Sequence, residues 1–168
     1  MQSKILQQLY ARYQKELYLY LFSLCHSREL AEDLVQETFL KALLSLSDEH
    51  RNMRAWLYLV ARNLYFNYRN REKKVTYFED VGDTFIDEQE TDLLQRLLVD
   101  ERLQLLYQAL QHLDGQKREI LTLQYFGGLS QKEIAALLKI SPENVRVLAY
   151  RSKRELKKYM EENHYDIS

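Results

Sequence analysis

One proline and four glycines are all the strong backbone breakers in 168 residues. A helix interior tolerates proline badly and glycine at some cost, so a chain this poor in both is expected to build long helices joined by short turns. The expected fold class is all-α. An apolar share of 46% with 29% charged residues is enough for ordinary packed cores. Cys25 is the single cysteine and excludes an internal disulfide, while His26, His50, His112 and His164 are too scattered for a metal-ligand spacing. The apolar run LYLYLFSLC is too short to span a bilayer and no cleavable leader precedes it, so the cytoplasm is the expected compartment, with no direct membrane insertion. No catalytic constellation, phosphate-cradling glycine loop or metal site is evident, so neither an enzyme nor a cofactor is expected.

Charge is distributed unevenly along the chain. Residues 1–74 hold 12 bases and 8 acids, residues 75–99 hold 1 base and 7 acids, and residues 100–168 hold 11 bases and 10 acids. The acidic middle, VTYFEDVGDTFIDEQETDLL, has no sustained helical period. It reads as an acidic flexible linker, 75–99, between two small helical domains, 1–74 and 100–168.

The second domain contains two helix starts in close succession, in GGLSQKEIAALLKISPENVRVLAYRSKREL. Ser130 with Glu133 makes a capping box, flanked by Leu129 and Ile134 as a hydrophobic staple. Ser141 repeats the device, with Pro142 at the first helical position and Ile140 and Val145 as the staple. Two helices with a tight turn between them form a helix-turn-helix. At about 100° per residue, Val145, Leu148, Ala149, Ser152 and Leu156 share one side and should pack on Ile134, Ala135 and Leu138. Glu143, Arg146, Val147, Tyr150, Arg151 and Arg154 then face outward, where guanidinium forks suit guanine edges or phosphates. A solvated basic face on an ordinary bundle is the plainer alternative.

In the first domain, RELAEDLVQETFLKALLSL buries Ala31, Leu34, Val35, Thr38, Phe39 and Ala42 and turns Asp33, Gln36, Glu37, Leu40 and Leu44 outward. Exposed leucines beside acids suggest a docking face, although a helix leaning on a neighbour would look similar. After a polar loop, RAWLYLVARNLYFNYRNREKK offers an inner stripe of Met53, Trp56, Leu57, Val60 and Leu64. Tyr58, Arg62, Tyr65, Phe66 and Arg69 fall opposite. Aromatic rings among arginines suit single-stranded nucleic acid, each stacked base contributing on the order of 1 to 3 kcal/mol. Packing of those rings on the tyrosine-rich first helix, ILQQLYARYQKELYLYLF, is equally compatible with the pattern.

This order of parts resembles bacterial RNA polymerase sigma factors of the extracytoplasmic-function class, across nearly the whole chain. AEDLVQETFLKAL looks like the family's polymerase-binding helix, RAWLYLVARNLYFNYRNREKK its −10 reader, and LSQKEIAALLKISPENVRVLAYRSKREL its −35 reader. The resemblance implies that Asp33, Gln36, Glu37, Leu40 and Leu43 contact the clamp coiled coil of the largest polymerase subunit. It implies that the loop Asp48–Met53, including Arg51 and Asn52, pockets a base flipped from the non-template strand, supported by Arg62, Asn63 and Asn67. Ser141, Glu143, Asn144, Arg146, Val147, Tyr150 and Arg151 would lie in or beside the −35 major groove. Implied partners are the polymerase core, through that clamp and the flap of the second-largest subunit, promoter DNA, and an anti-sigma factor that often sits in the membrane. Val147 and Leu148 depart from the family pattern, standing where Ser and Arg are common. Two rivals from other classes are a stand-alone dimeric helix-turn-helix regulator and a purely protein-binding helical adaptor.

Overall fold

The computed structural model describes residues 2–45, 52–73 and 97–163, and in it every element is a helix. These are α1 (Gln2–Cys25), α2 (Arg28–Ser45), α3 (Met53–Lys73), α4 (Glu101–Leu110), α5 (Gly115–Tyr125), α6 (Gln131–Leu138) and α7 (Pro142–Glu162). They divide into two compact units, α1–α3 and α4–α7. Asp48, Arg51 and the acidic stretch 75–96 lie outside the described residues. Of the expected linker's last residues, Leu98 is buried and its carbonyl accepts from the Gln104 side chain, so this end of it packs with the second unit.

In the first unit, α1 turns into α2 at His26, which takes the left-handed conformation at φ 53° and donates its N–H to Phe22 O at 2.8 Å. Histidine is among the few residues other than glycine enriched there. Ser27 opens α2 by accepting from Leu30 N at 3.2 Å. The buried stripe of α2 is Ala31, Leu34, Val35, Thr38, Phe39 and Ala42, as its periodicity predicts. Tyr10 of α1 meets Phe39 edge-on with centroids 4.9 Å apart.

Helix α3 is rotated from the sequence expectation. Its buried residues are Leu57, Tyr58, Ala61, Leu64 and Tyr65, while Met53, Trp56 and Val60 are only half-buried. The cause is a set of polar anchors on α1. Tyr58 Oη donates to Glu16 Oε1 at 3.1 Å, and Tyr65 Oη donates to the Leu24 carbonyl at 3.0 Å. The Tyr58 ring also packs edge-on against Tyr20 at 5.1 Å. Residues 58 and 65 are two helical turns apart, so both phenols lie on one side and fix α3 in rotation and in register. Arg54 completes the join, its Nε 3.3 Å from Glu16 Oε1 and its guanidinium 5.4 Å from the centroid of the buried Tyr13 ring.

Burial pushes the Glu16 carboxyl above its ordinary range, against the opposing pull of Arg54, the Tyr58 hydroxyl and Arg12. A carboxyl whose pKa is higher folded than unfolded binds more protons in the folded state. Stability is therefore lost as pH rises from the unfolded value through the folded one, and the cost is fully present above that. Lowering the pH from neutrality into the ordinary carboxylate range is expected to stabilise the wild type relative to Glu16→Gln, as read by urea unfolding of the two proteins side by side. A difference that does not vary with pH would remove Glu16 as the cause.

In the second unit, Asp100 caps α4 by accepting from Arg102 N at 2.9 Å. Ala109, Leu110, Leu113, Leu121, Leu156 and Met160 form a core cluster that joins α4, α5 and α7. Between α5 and α6, Gly128 adopts φ 63°, a conformation glycine reaches without a Cβ penalty. Both predicted helix starts are present. Ser130 and Glu133 bond reciprocally at 3.1 and 2.8 Å, and Ser141 Oγ accepts from Asn144 N at 3.1 Å with Pro142 following it. The turn between them closes through Lys139 at φ 58°, and Ile140 N donates to Ala135 O at 3.1 Å. On α6, Leu137 is buried and Leu138 half-buried, so the inner face there is shifted by one residue from expectation.

Candidate partner and nucleic-acid interfaces

Helix α2 keeps one side clear of the first unit's core. Asp33, Gln36, Glu37, Leu40 and Leu43 are all exposed, Leu40 to 56%, and Leu44 extends the row at 78%. Their three- and four-residue spacing makes one stripe, acidic toward the start of the helix and leucine-rich toward its end. Arg28 pairs with Glu32 at 3.3 Å, but neither Asp33 nor Glu37 has a cationic partner among the described residues. Two unneutralised carboxylates leading into bare leucines suit a partner that offers bases beside an apolar groove.

The outer side of α3 differs from the aromatic platform expected. Tyr58 and Tyr65 are 1% and 8% exposed, sealed against α1 by the hydrogen bonds above, and so cannot stack on a base. The physical reason is that each phenol finds a polar partner inside, which offsets the cost of enclosing its hydroxyl. Asn52, Asn63, Asn67 and Arg69 are exposed, while Met53, Arg62 and Phe66 are half-buried. The Arg62 guanidinium lies 4.5 Å from the Phe66 ring centroid, holding that ring under a positive charge at the surface. Leu59, 39% exposed, belongs to the same side and was missed because the expected inner stripe was placed next to it. Asn52 itself is committed to the start of α3, its Oδ1 accepting from Ala55 N at 3.2 Å.

The outer side of α7 matches expectation. Glu143, Asn144, Arg146, Tyr150, Arg151 and Arg154 are exposed, Tyr150 to 62%, and Val147 is half-buried. Ser141 is exposed, with its hydroxyl engaged in the cap. Arg146 Nη2 donates to Glu143 Oε1 at 3.4 Å, and the Arg154 guanidinium lies 5.9 Å from the Tyr150 ring. Val145, Ala149, Ser152, Leu156 and Met160 are buried on the other side, which holds the basic face outward. Lys153 was missed by the sequence reading. Its Nζ lies 5.9 Å from the Tyr125 ring, a pairing across α5 and α7 that no local pattern reveals. Lys117 Nζ, 2.7 Å from Glu155 Oε2, ties the start of α5 to α7.

No helix among the described residues is long and apolar enough to cross a membrane.

A family model described as Sigma-70 region 2 matches residues 9–75, and one described as Sigma-70, region 4 matches residues 103–156. The chain is 33% identical over 153 residues to the ECF RNA polymerase sigma factor SigM of Bacillus subtilis (strain 168), covering 89% of this chain and 91% of SigM. It is 35% identical over 162 residues to the RNA polymerase sigma factor YlaC of the same organism, covering 92% and 91%. Among solved structures, CnrH in complex with the cytosolic domain of CnrY is 25% identical with a TM-score of 0.65, covering 95% of this chain and 89% of that one. The sigma factor RpoE, solved with the anti-sigma factor NepR from Bartonella quintana, shares the fold at a TM-score of 0.69 and 24% identity, covering 94% and 98%.

Proposed function

Since the chain belongs to the extracytoplasmic-function class of RNA polymerase sigma factors, which are transcription initiation factors and not enzymes, we propose that each unit carries a separate part of promoter recognition. The α2 stripe of Asp33, Gln36, Glu37, Leu40 and Leu43 docks on the clamp coiled coil of the core polymerase. The outer side of α3, with Asn63, Phe66, Asn67 and Arg69, captures the melted −10 non-template strand together with residues 48–53. The outer side of α7 enters the −35 major groove as duplex. The flap of the second-largest subunit and an anti-sigma factor, the kind of partner seen with RpoE, complete the set.

The observation that carries this reading is the presence in one chain of two differently built faces. One is acidic and leucine-rich on α2, and the other is basic, on the second helix of a fully capped helix-turn-helix. A stand-alone duplex binder has no use for the first, and a protein-only adaptor has none for the second.

Magnitudes divide the work between the partners. With Tyr58 and Tyr65 enclosed, Phe66 is the aromatic ring of the expected set left near the surface. One stacked base contributes about 1 to 3 kcal/mol. Opening a few base-pair steps costs about 1.4 kcal/mol each. Stacking on α3 therefore offsets only part of the opening cost, and the rest falls to the base pocket and to the polymerase.

Binding to a promoter selected from a randomised duplex library by the protein with core polymerase tests the reading. The free protein is expected to bind this duplex weakly, and the complex tightly, with −10 thymines becoming reactive to permanganate. Arg146→Ala should weaken the complex on that promoter by about 1 to 3 kcal/mol, the value of one good base-reading pair. Tight binding by the free protein that core polymerase does not improve would instead support a stand-alone regulator.

A further inference from the structure

Within the first three turns of α7 there is one acidic side chain, Glu143, and it stands on the otherwise basic outer side. Among the described residues Arg146 is the base of α7 held by a carboxylate of its own helix, with Nη2 3.4 Å from Glu143 Oε1. Arg151 and Arg154 lie further along the same side with no acid paired to them among the described residues, and Arg154 leans toward the Tyr150 ring. The two ends of the basic face are therefore built differently.

An exposed guanidinium near duplex DNA has two destinations, the phosphate oxygens and the base edges. Phosphate is the stronger electrostatic attractor and carries no sequence information. A carboxylate one turn earlier repels the backbone and engages part of the five-donor fork. The remaining N–H groups are left free to meet guanine O6 and N7. The early residues of a helix lying in the major groove are also those nearest the base edges. The exposed ion pair itself adds little to stability, so the structural reason left for Glu143 is the modest one of an acid in the first turn of α7, at the positive end of the helix dipole.

We propose that Glu143 is a specificity-determining positioning residue, which keeps Arg146 off the phosphates and aims it at a base edge at the expense of overall affinity. This rests on the reading that α7 enters the −35 groove. Arg151 and Arg154 supply the sequence-blind attraction that Glu143 opposes.

The test compares wild type, Glu143→Gln, Arg146→Ala and the double variant, each with core polymerase. The probes are the selected promoter, the same promoter with its −35 base pairs exchanged, and a non-specific duplex, over a range of salt. For Glu143→Gln, binding to the non-specific duplex should tighten several-fold and its salt slope should steepen by about one, as Arg146 gains a phosphate contact. Discrimination against the exchanged promoter should fall about tenfold. The double variant should discriminate no worse than Arg146→Ala alone. If Glu143→Gln loses affinity for the selected promoter only, and adds to the effect of Arg146→Ala, Glu143 reads a base itself and the proposal is overturned. Unchanged discrimination in Glu143→Gln, with Arg146→Ala impaired, also overturns it and leaves Glu143 serving the helix start. Unchanged discrimination in Arg146→Ala overturns the groove reading beneath it, a distinct result.

Discussion

Reversing both carboxylates of α2, Asp33→Lys together with Glu37→Lys, is expected to abolish stable association with core polymerase while leaving the helical fold intact. Both side chains are exposed and neither is paired among the described residues, so their replacement removes no contact that holds α2 in place. Placing like charges across an interface costs several kcal/mol, and each 1.4 kcal/mol is a factor of ten, so the loss should be about a hundredfold or more. Pull-down of core polymerase on the tagged protein reads the association, and circular dichroism checks the fold. Undiminished capture of core by the reversed protein would take the docking role away from this face.

Tyr58→Ala should be among the most destabilising substitutions in the first unit, although the sequence alone is equally compatible with an outward ring that stacks on nucleic acid. Its ring is 1% exposed and packs on Tyr20, and its hydroxyl is bonded to Glu16. Truncating a buried aromatic costs about 3 to 5 kcal/mol, a large share of the 5 to 15 kcal/mol typical of a whole domain. Tyr58→Phe keeps the ring and should cost less, about 1 kcal/mol, because the half-buried Glu16 carboxylate loses a donor. Urea unfolding, with hydrogen exchange to localise the loss to α1 and α3, checks the order. Equal and small effects of the two changes would mean that the ring is not enclosed. The same burial alters the expectation for strand opening, since Tyr65→Ala should act through stability, and Phe66→Ala is left as the substitution that probes stacking.

Helix starts and the α2 stripe were legible because their causes lie within a few residues of each other. Ser130 with Glu133, and Ser141 before Pro142, satisfy the free N–H groups of their own first turns whatever packs above them. The α2 pattern has apolar residues on one side only, so a single rotation encloses Ala31 through Ala42 and leaves Asp33, Gln36, Glu37 and Leu40 outside. The α7 basic face follows in the same way from Val145, Ala149 and Leu156 on its other side.

Helix α3 was ambiguous because it carries apolar or aromatic residues around most of its circumference. Leu57 and Leu64 fit two adjoining stripes, one running through Trp56 and Val60, the other through Tyr58, Ala61 and Tyr65. Periodicity ranks them by hydrophobicity and favours the first. The choice was made by Glu16 and the Leu24 carbonyl on α1, 42 and 41 residues away from the two phenols they engage. From its sequence alone this protein is a pair of helical units whose caps, exposed α2 stripe and basic face are set by local geometry. Which way α3 turns, and so which aromatic rings remain near the surface, depends on hydrogen-bond partners that only meet once the helices pack.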